Sequence, residues 1–258
     1  RDISPLVRQK RDVPESFYVS QGYLSFDAPT VSQRTRYQLR LGLFDDKGHE
    51  VSQSVIDIDV FPRLRIKEPV KICVPGPRNK GSHLLSELNI VPIDDIKKSD
   101  VILVDDYSWY AKNTELVDNC VQAGKTVLFL ELPEGRYSIA GSDVHSFDTV
   151  MGDYYFVSPQ TGHVLIQWAE PTDFKFCVDQ KPNALTPFIG NVLKASGWTP
   201  ILVTGQTSWG SRDEGPYLAV AEKRSGKGKY IICQVQLHHR VNSNPVAKKF
   251  AHGLLGME

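Results

Sequence analysis

The sequence predicts an α/β fold: a doubly wound, mostly parallel sheet preceded by a partial antiparallel β-sandwich segment. Three observations carry this. Val101–Val104 and Val127–Leu130 are short apolar runs joined by one helical pattern, which makes a βαβ unit with parallel strands. Both runs are apolar throughout, so both faces of that sheet are covered. Upstream, Tyr37, Leu39, Leu41 and Leu43 alternate with Gln38, Arg40, Gly42 and Phe44, the period of a strand with one wet face.

Taken in order, residues 1 to 16 have no apolar period and carry Pro5, Pro14 and a basic cluster at Arg1, Arg8, Lys10 and Arg11. They read as an extended, solvated arm. Tyr18 to Phe26 reads as a strand, Tyr37 to Phe44 as a second and Val51 to Val60 as a third. Asp45-Asp46-Lys47-Gly48 is the hairpin turn between the last two, with glycine where positive φ is wanted. About three strands are visible where an immunoglobulin-like sandwich needs about seven. The charge and proline of Arg63 to Pro69 make a linker, which divides the chain into residues 1–66 and 67–258.

The second part opens with a strand at Val70–Val74, a loop at Pro75–Gly81, a helix from Ser82 to Leu88 and a weak strand at Asn89–Ile93. Between the two apolar runs, Tyr110, Leu116, Val117, Cys120 and Val121 mark one helix, closed by Gly124. Residues 133–160 read as loop-rich, Val164–Trp168 as a strand and Leu185–Ala195 as a helix. Ile201–Thr204, Tyr217–Ala221 and Tyr230–Gln234 are three more strands, the last two flanking a turn at Gly226-Lys227-Gly228. Asn244 and Pro245 supply the N-cap and first position of a final helix, Val246–Leu255.

Composition narrows the function. The chain has 258 residues, of which 41% are hydrophobic and 23% charged, as in a globular protein. Lys plus Arg and Asp plus Glu are 30 each, a balance that argues against nucleic acid as a partner. No apolar run approaches the ~18 residues that span a bilayer, so no membrane partner is expected. Cys73, Cys120, Cys177 and Cys233 are widely spaced, without a CxxC pair, and read as buried free thiols. No metal site follows from them.

Residues with chemical potential collect at the carboxyl ends of the strands, where ligands sit in open α/β sheets. Asp105, Asp106 and Glu131 end the two apolar runs, and His238 follows the strand ending at Gln234. Carboxylates held close can do acid/base work or bind a ligand. Adjacent Asp105 and Asp106 point to opposite faces, however, so helix capping is their ordinary role. Tyr107 and Trp109 add aromatic faces, which suit sugar rings and are equally ordinary packing residues. Pro75-Gly76-Pro77-Arg78-Asn79-Lys80-Gly81-Ser82 fits neither nucleotide-loop pattern, and its prolines remove amide donors, so no cofactor is expected. After the second run the chain reads Leu132-Pro133-Glu134-Gly135, with no thiol or hydroxyl for a nucleophile elbow. No catalytic residue is assigned.

YQLRLGLFDDKGHEVSQSVIDIDVFP resembles the closing strands of the immunoglobulin-like sandwich that follows the catalytic barrel of family 2 glycoside hydrolases, the β-galactosidase-like enzymes. KICVPGP, DVILVDDYSWY and GKTVLFLELPEG are similar to the class I glutamine amidotransferase-like, flavodoxin-like domain appended to some bacterial members. GKGKYIICQVQLHHRVNSNPVAKKFAHGLL resembles the closing strand and helix of such domains. The resemblance departs at Leu132 and Pro133, which stand where the amidotransferase cysteine would be. It implies a non-catalytic accessory region of a bacterial β-glycoside hydrolase, in a periplasmic or extracellular setting. Its expected partners are carbohydrate, the parent enzyme's other domains and further copies of itself in a homo-oligomer. An independent hydrolase or small-ligand-binding enzyme using the strand-end carboxylates is the alternative.

Overall fold

A computed structural model describes residues 27–64, 69–77, 79–148, 161–174, 176–179, 184–204 and 217–257. The chain divides into two units, Arg1–Arg65 and Ile66–Glu258.

In the first unit, β1 (Thr35–Phe44) and β2 (Glu50–Val60) pair antiparallel, from Thr35↔Val60 to Phe44↔Glu50. The turn forms as its residues require. Gly48 takes φ +84°, and the Asp45 carboxylate accepts the amides of Lys47 (2.9 Å) and His49 (2.7 Å). Those backbone bonds hold the Asp45 carboxyl below its ordinary value. Near the other end Asp59 takes hydrogen bonds from Arg36 and Arg34, which bring its pKa to about 2 despite partial burial. One face of the hairpin carries Tyr37, Leu39, Leu41 and Leu43 opposite Ile58, Ile56, Ser54 and Ser52. Leu43, Val55 and Ile56 stay exposed. The strand expected at Tyr18–Phe26 lies outside the described residues.

The second unit is a mixed α/β domain around a nine-stranded sheet ordered β3-β4-β5-β13-β12-β10-β7-β6, with β11 also paired to β12. Its parallel part is β3 (Ile72–Cys73), β4 (Val101–Val104), β5 (Thr126–Leu130) and β13 (Gly228–Cys233). The weak strand expected at Asn89–Ile93 is a single parallel bridge, Cys73↔Ile93, on the outer side of β3. Beyond β13 every pairing is antiparallel: β12 (Leu218–Ser225), β11 (Thr199–Val203), β10 (Asn191–Ala195), β7 (Ser142–Asp148) and β6 (Gly135–Ile139). The sheet is therefore mixed rather than mostly parallel.

Helices cover the parallel part on both faces. Ile102, Val104, Val127, Phe129, Tyr230 and Ile232 alternate onto one face, where they pack with Tyr110 of α2 (Tyr107–Lys112) and Val117, Cys120 and Val121 of α3 (Thr114–Gln122). The intervening residues Leu103, Leu128 and Ile231 are equally buried on the other face. There α1 (Lys80–Glu87) comes so close that a Cβ on Gly81 would overlap the Leu103 side chain. The final helix, α4 (Pro245–Leu254), starts as expected, with Asn244 Oδ1 accepting from Val246 N (2.8 Å) and Ala247 N (3.2 Å). Its Phe250 ring meets Phe174 edge-on at 5.2 Å.

Four sequence expectations change. Between β4 and β5 there are two helices, because Asn113 leaves helical geometry (φ −125°) and its side chain donates to Trp109 O. Within the segment read as loop, Ala140 (φ 51°) and Gly141 (φ 65°) form the tight turn of the β6–β7 hairpin. Residues 149–160 of that segment lie outside the described residues. Val164–Ile166 is a 3-10 turn, not a strand, capped by His163 Nδ1 accepting from Leu165 N. The helix expected at Leu185–Ala195 is instead β9 (Ala184–Pro187), paired to β8 (Phe176–Asp179), followed by β10. Pro187 and Gly190 interrupt the run, and β10 finds a ladder along β7 from Asn191↔Asp148 to Ala195↔Val144.

Candidate functional site

At the carboxyl end of the parallel strands the chain makes one strained turn. Cys233 of β13 lies opposite Leu130 of β5, and the next amide, Glu131 N, donates to Cys233 O at 2.7 Å. That bond continues the parallel ladder, and at its end Glu131 takes φ +49°. Positive φ is uncommon for a residue with a side chain and marks a position held by its surroundings. The sharp turn therefore falls on Glu131, one residue before the Leu132–Pro133 pair.

The Glu131 side chain is only 8% exposed, and Lys80 and His238 meet it there. Lys80 Nζ, from the first turn of α1, donates to Oε2 at 2.7 Å. His238 Nδ1 lies 2.8 Å from Oε1, off the line of a straight N–H···O bond. Burial alone pushes the Glu131 carboxyl up, but contact with His238 and Lys80 outweighs it and leaves the value below that of an ordinary glutamate. A group so placed is a poor proton donor near neutrality.

The same end of the sheet holds a second histidine–carboxylate contact. His239 takes φ +63°, and its amide donates to both Glu87 oxygens at 2.9 Å. Its ring Nδ1 is 3.0 Å from Glu87 Oε1. Lys80, His83 and Glu87 recur at helical spacing on one face of α1, so one helix addresses both histidines; the rings of His83 and His239 are 5.8 Å apart.

Of the six residues singled out from the sequence, the structure brings Glu131 and His238 together. The other four have structural partners. The Asp105 carboxylate accepts the amides of Asn79 (2.8 Å), Gly81 (2.6 Å) and Ser82 (3.2 Å), closing the N-terminus of α1. Asp106 caps α2 by accepting Ser108 N at 2.9 Å. Tyr107 Oη accepts from Ser138 N at 2.9 Å and stacks edge-on against Tyr137. Trp109 packs over Gly76, where a Cβ would stand 3.1 Å from its ring.

A cleft of about 240 Å³ opens beside Glu131, bounded by Lys80, Pro133, Asn191, Gln234 and Gln236. Sequence reasoning passed over all five as ligand contacts. One signal was available: Gln234-Val235-Gln236-Leu237-His238 alternates strictly, and Val235 and Leu237 are buried, which turns Gln234, Gln236 and His238 the other way. Among the described residues no group of three or more His, Cys, Asp or Glu is placed to hold a metal. Cys73, Cys120 and Cys233 are buried thiols. Burial pushes the Cys233 thiol up, so it stays neutral.

Glu131 sets a measurable acid response. Its folded pKa lies below its unfolded one, so its contribution is complete above the unfolded value and is lost as pH falls through the folded value. Glu131→Gln is expected to cost about 1 kcal/mol at pH 7, discounted because Lys80 is half in water. It should also flatten the loss of stability below about pH 4. Urea midpoints across pH 3 to 8 check both; an unchanged acid limb would mean the pair contributes nothing.

No protein-family model matches the chain, and no curated protein matches it in sequence. Among solved structures it is similar to the β-galactosidase from Rahnella sp. R3, at 12% identity and TM-score 0.41 over 73% of this chain and 32% of that one. The β-galactosidase from Bacillus circulans sp. alkalophilus gives 10% identity and TM-score 0.41, over 73% and 30%. A cytoplasmic protein from Salmonella typhimurium gives 9% identity and TM-score 0.43, over 85% and 95%. The chain thus spans about a third of the length of these β-galactosidases.

Proposed function

We propose that this chain is a non-catalytic accessory region of a β-glycoside hydrolase of the β-galactosidase type, with a structural, assembly or carbohydrate-binding role. One observation carries the reading. The strained turn after β5, where hydrolases and amidotransferases of α/β architecture hold their nucleophile, carries Glu131 tied to Lys80 and His238. A carboxylate paired with an ammonium and in contact with an imidazole is not a free nucleophile. Glycoside hydrolysis needs two carboxyl groups facing the scissile bond. Glu131 faces Lys80 and His238, and Asp105 and Asp106 are occupied at helix starts. Those occupied carboxylates weigh against an independent hydrolase.

The resemblance of the β1–β2 segment, of KICVPGP and of GKTVLFLELPEG to the closing regions of family 2 enzymes supports the reading. So does strand order. With the bridge at Ile93 counted, the parallel strands run 2-1-3-4-5, the order of flavodoxin-like sheets.

The purified chain is expected to release no chromophore from aryl β-galactosides or β-glucosides and no ammonia from glutamine. Turnover above background that disappears in Glu131→Gln would overturn the reading and establish an enzyme.

A further inference from the structure

We propose that the cleft beside Glu131 is a binding site for a neutral polyol the size of one sugar ring. This deepens the carbohydrate-binding arm of the function above by giving it a place and a set of contacts.

The first contact is Gln234, whose side chain is buried and lines the cleft. Its Nε2 donates to Leu132 O at 2.9 Å and Ser146 Oγ at 2.8 Å. A carbonyl oxygen only accepts, so the orientation of this amide is determined by Leu132. Gln234 Oε1 is left as a buried acceptor with no protein donor among the described residues. A buried acceptor in that state is unfavourable, and it has almost no surface open to the cleft.

The second is Gln236. Its Oε1 accepts from Arg240 Nη2 at 2.8 Å, and a guanidinium only donates, so this amide also has one orientation. Gln236 Nε2 is therefore the free-facing donor, and it lies where a Cβ on Gly190 would stand 3.1 Å away. Gly190 leaves that space open.

Lys80 Nζ donates at the mouth and the Glu131 carboxylate accepts beneath it. The cleft thus offers the Glu131 carboxylate as acceptor and Lys80 Nζ and Gln236 Nε2 as donors. Hydroxyl groups both donate and accept, so a polyol meets both kinds. A phosphate would face the Glu131 carboxylate, and a bare cation would face Lys80 and the Gln236 N–H. A volume of about 240 Å³ has room for one ring and is under the ~300 Å³ at which drug-sized pockets begin.

Backbone amide shifts of the whole chain, titrated with galactose, glucose, methyl β-galactoside and inorganic phosphate, test this. The expected result is saturable movement at Gly190, Asn191, Gln234 and Gln236 with at least one sugar and none with phosphate. Shifts with methyl β-galactoside point to the end of a glycan, and shifts with the free sugars alone to a monosaccharide; both support the site. Gly190→Val fills the space and should weaken binding about tenfold or more. Lys80→Met removes the ammonium at the mouth and should weaken it several-fold, with a urea midpoint measured alongside to account for the lost pair with Glu131. Silence with every sugar, equal shifts with phosphate, or unchanged affinity in both variants would overturn the proposal. Turnover of an aryl glycoside would sink the accessory reading without touching this titration. A silent titration would remove the cleft and leave the absence of turnover standing.

Discussion

Gly228→Ala should cost about 3 kcal/mol or more, the largest loss expected from any single added methyl in the domain. Gly228 opens β13, the strand that joins the parallel and antiparallel parts of the sheet. A Cβ there would stand 2.2 Å from Lys125 O, 2.5 Å from Val121 O and 3.0 Å from Gly124 C. All three are backbone atoms, of the last turn of α3 and of the turn before β5, so no rotamer change relieves the overlap. Relief requires β13 to move away from β5, against five parallel pairs from Lys229↔Thr126 to Cys233↔Leu130. Gly141 is the informative control: a Cβ there meets nothing within 4 Å, so Gly141→Ala carries only the strain of φ +65°. Equilibrium urea unfolding of the two variants should separate them clearly. A Gly228→Ala loss no larger than that of Gly141→Ala would mean that the turn yields.

Asp105→Ala should cost about 3 kcal/mol, measured in the same way. One carboxylate satisfies three amides at the start of α1, and alanine leaves them without an acceptor in a part-buried place. Asp105→Asn keeps one acceptor oxygen and should lose roughly half as much. The consequence extends to the cleft, because the turn that Asp105 closes is the one that carries Lys80 to Glu131. Asp105→Ala is therefore expected to weaken the Lys80–Glu131 pair and to flatten the acid limb as Glu131→Gln does. If stability falls while the acid limb keeps its shape, α1 is held in register by its apolar face alone.

Features decided within a few residues were legible in the sequence. Asp45 and Gly48 specify the first hairpin turn because the carboxylate and the positive φ lie inside it. Asn244-Pro245 specifies the start of α4 for the same reason. Val101–Val104 and Thr126–Leu130 are apolar on every residue, and only a strand covered on both sides satisfies them. Short apolar runs without a period were not decidable this way. Leu185–Ala195 reads as a helix, yet its residues join β9 and β10, and what selects β10 is a ladder with β7 more than forty residues earlier.

The site followed the same division. The sequence by itself determined the order of the elements around the parallel strands and that acidic residues would stand where those strands end. It also determined that no thiol or hydroxyl follows β5. Only the tertiary structure decided which carboxylates are occupied. Asp105 and Glu131 are equivalent as strand-end acids; α1 brings three amides to the first and an ammonium to the second. Only the tertiary structure decided that Glu131 carries the positive φ, at the end of a ladder with a strand paired far along the chain. The cleft was hidden for the same physical reason. Its polar groups come from α1, the turn after β5, the start of β10 and the segment after β13, and no local pattern encodes which ends of distant strands come to lie side by side.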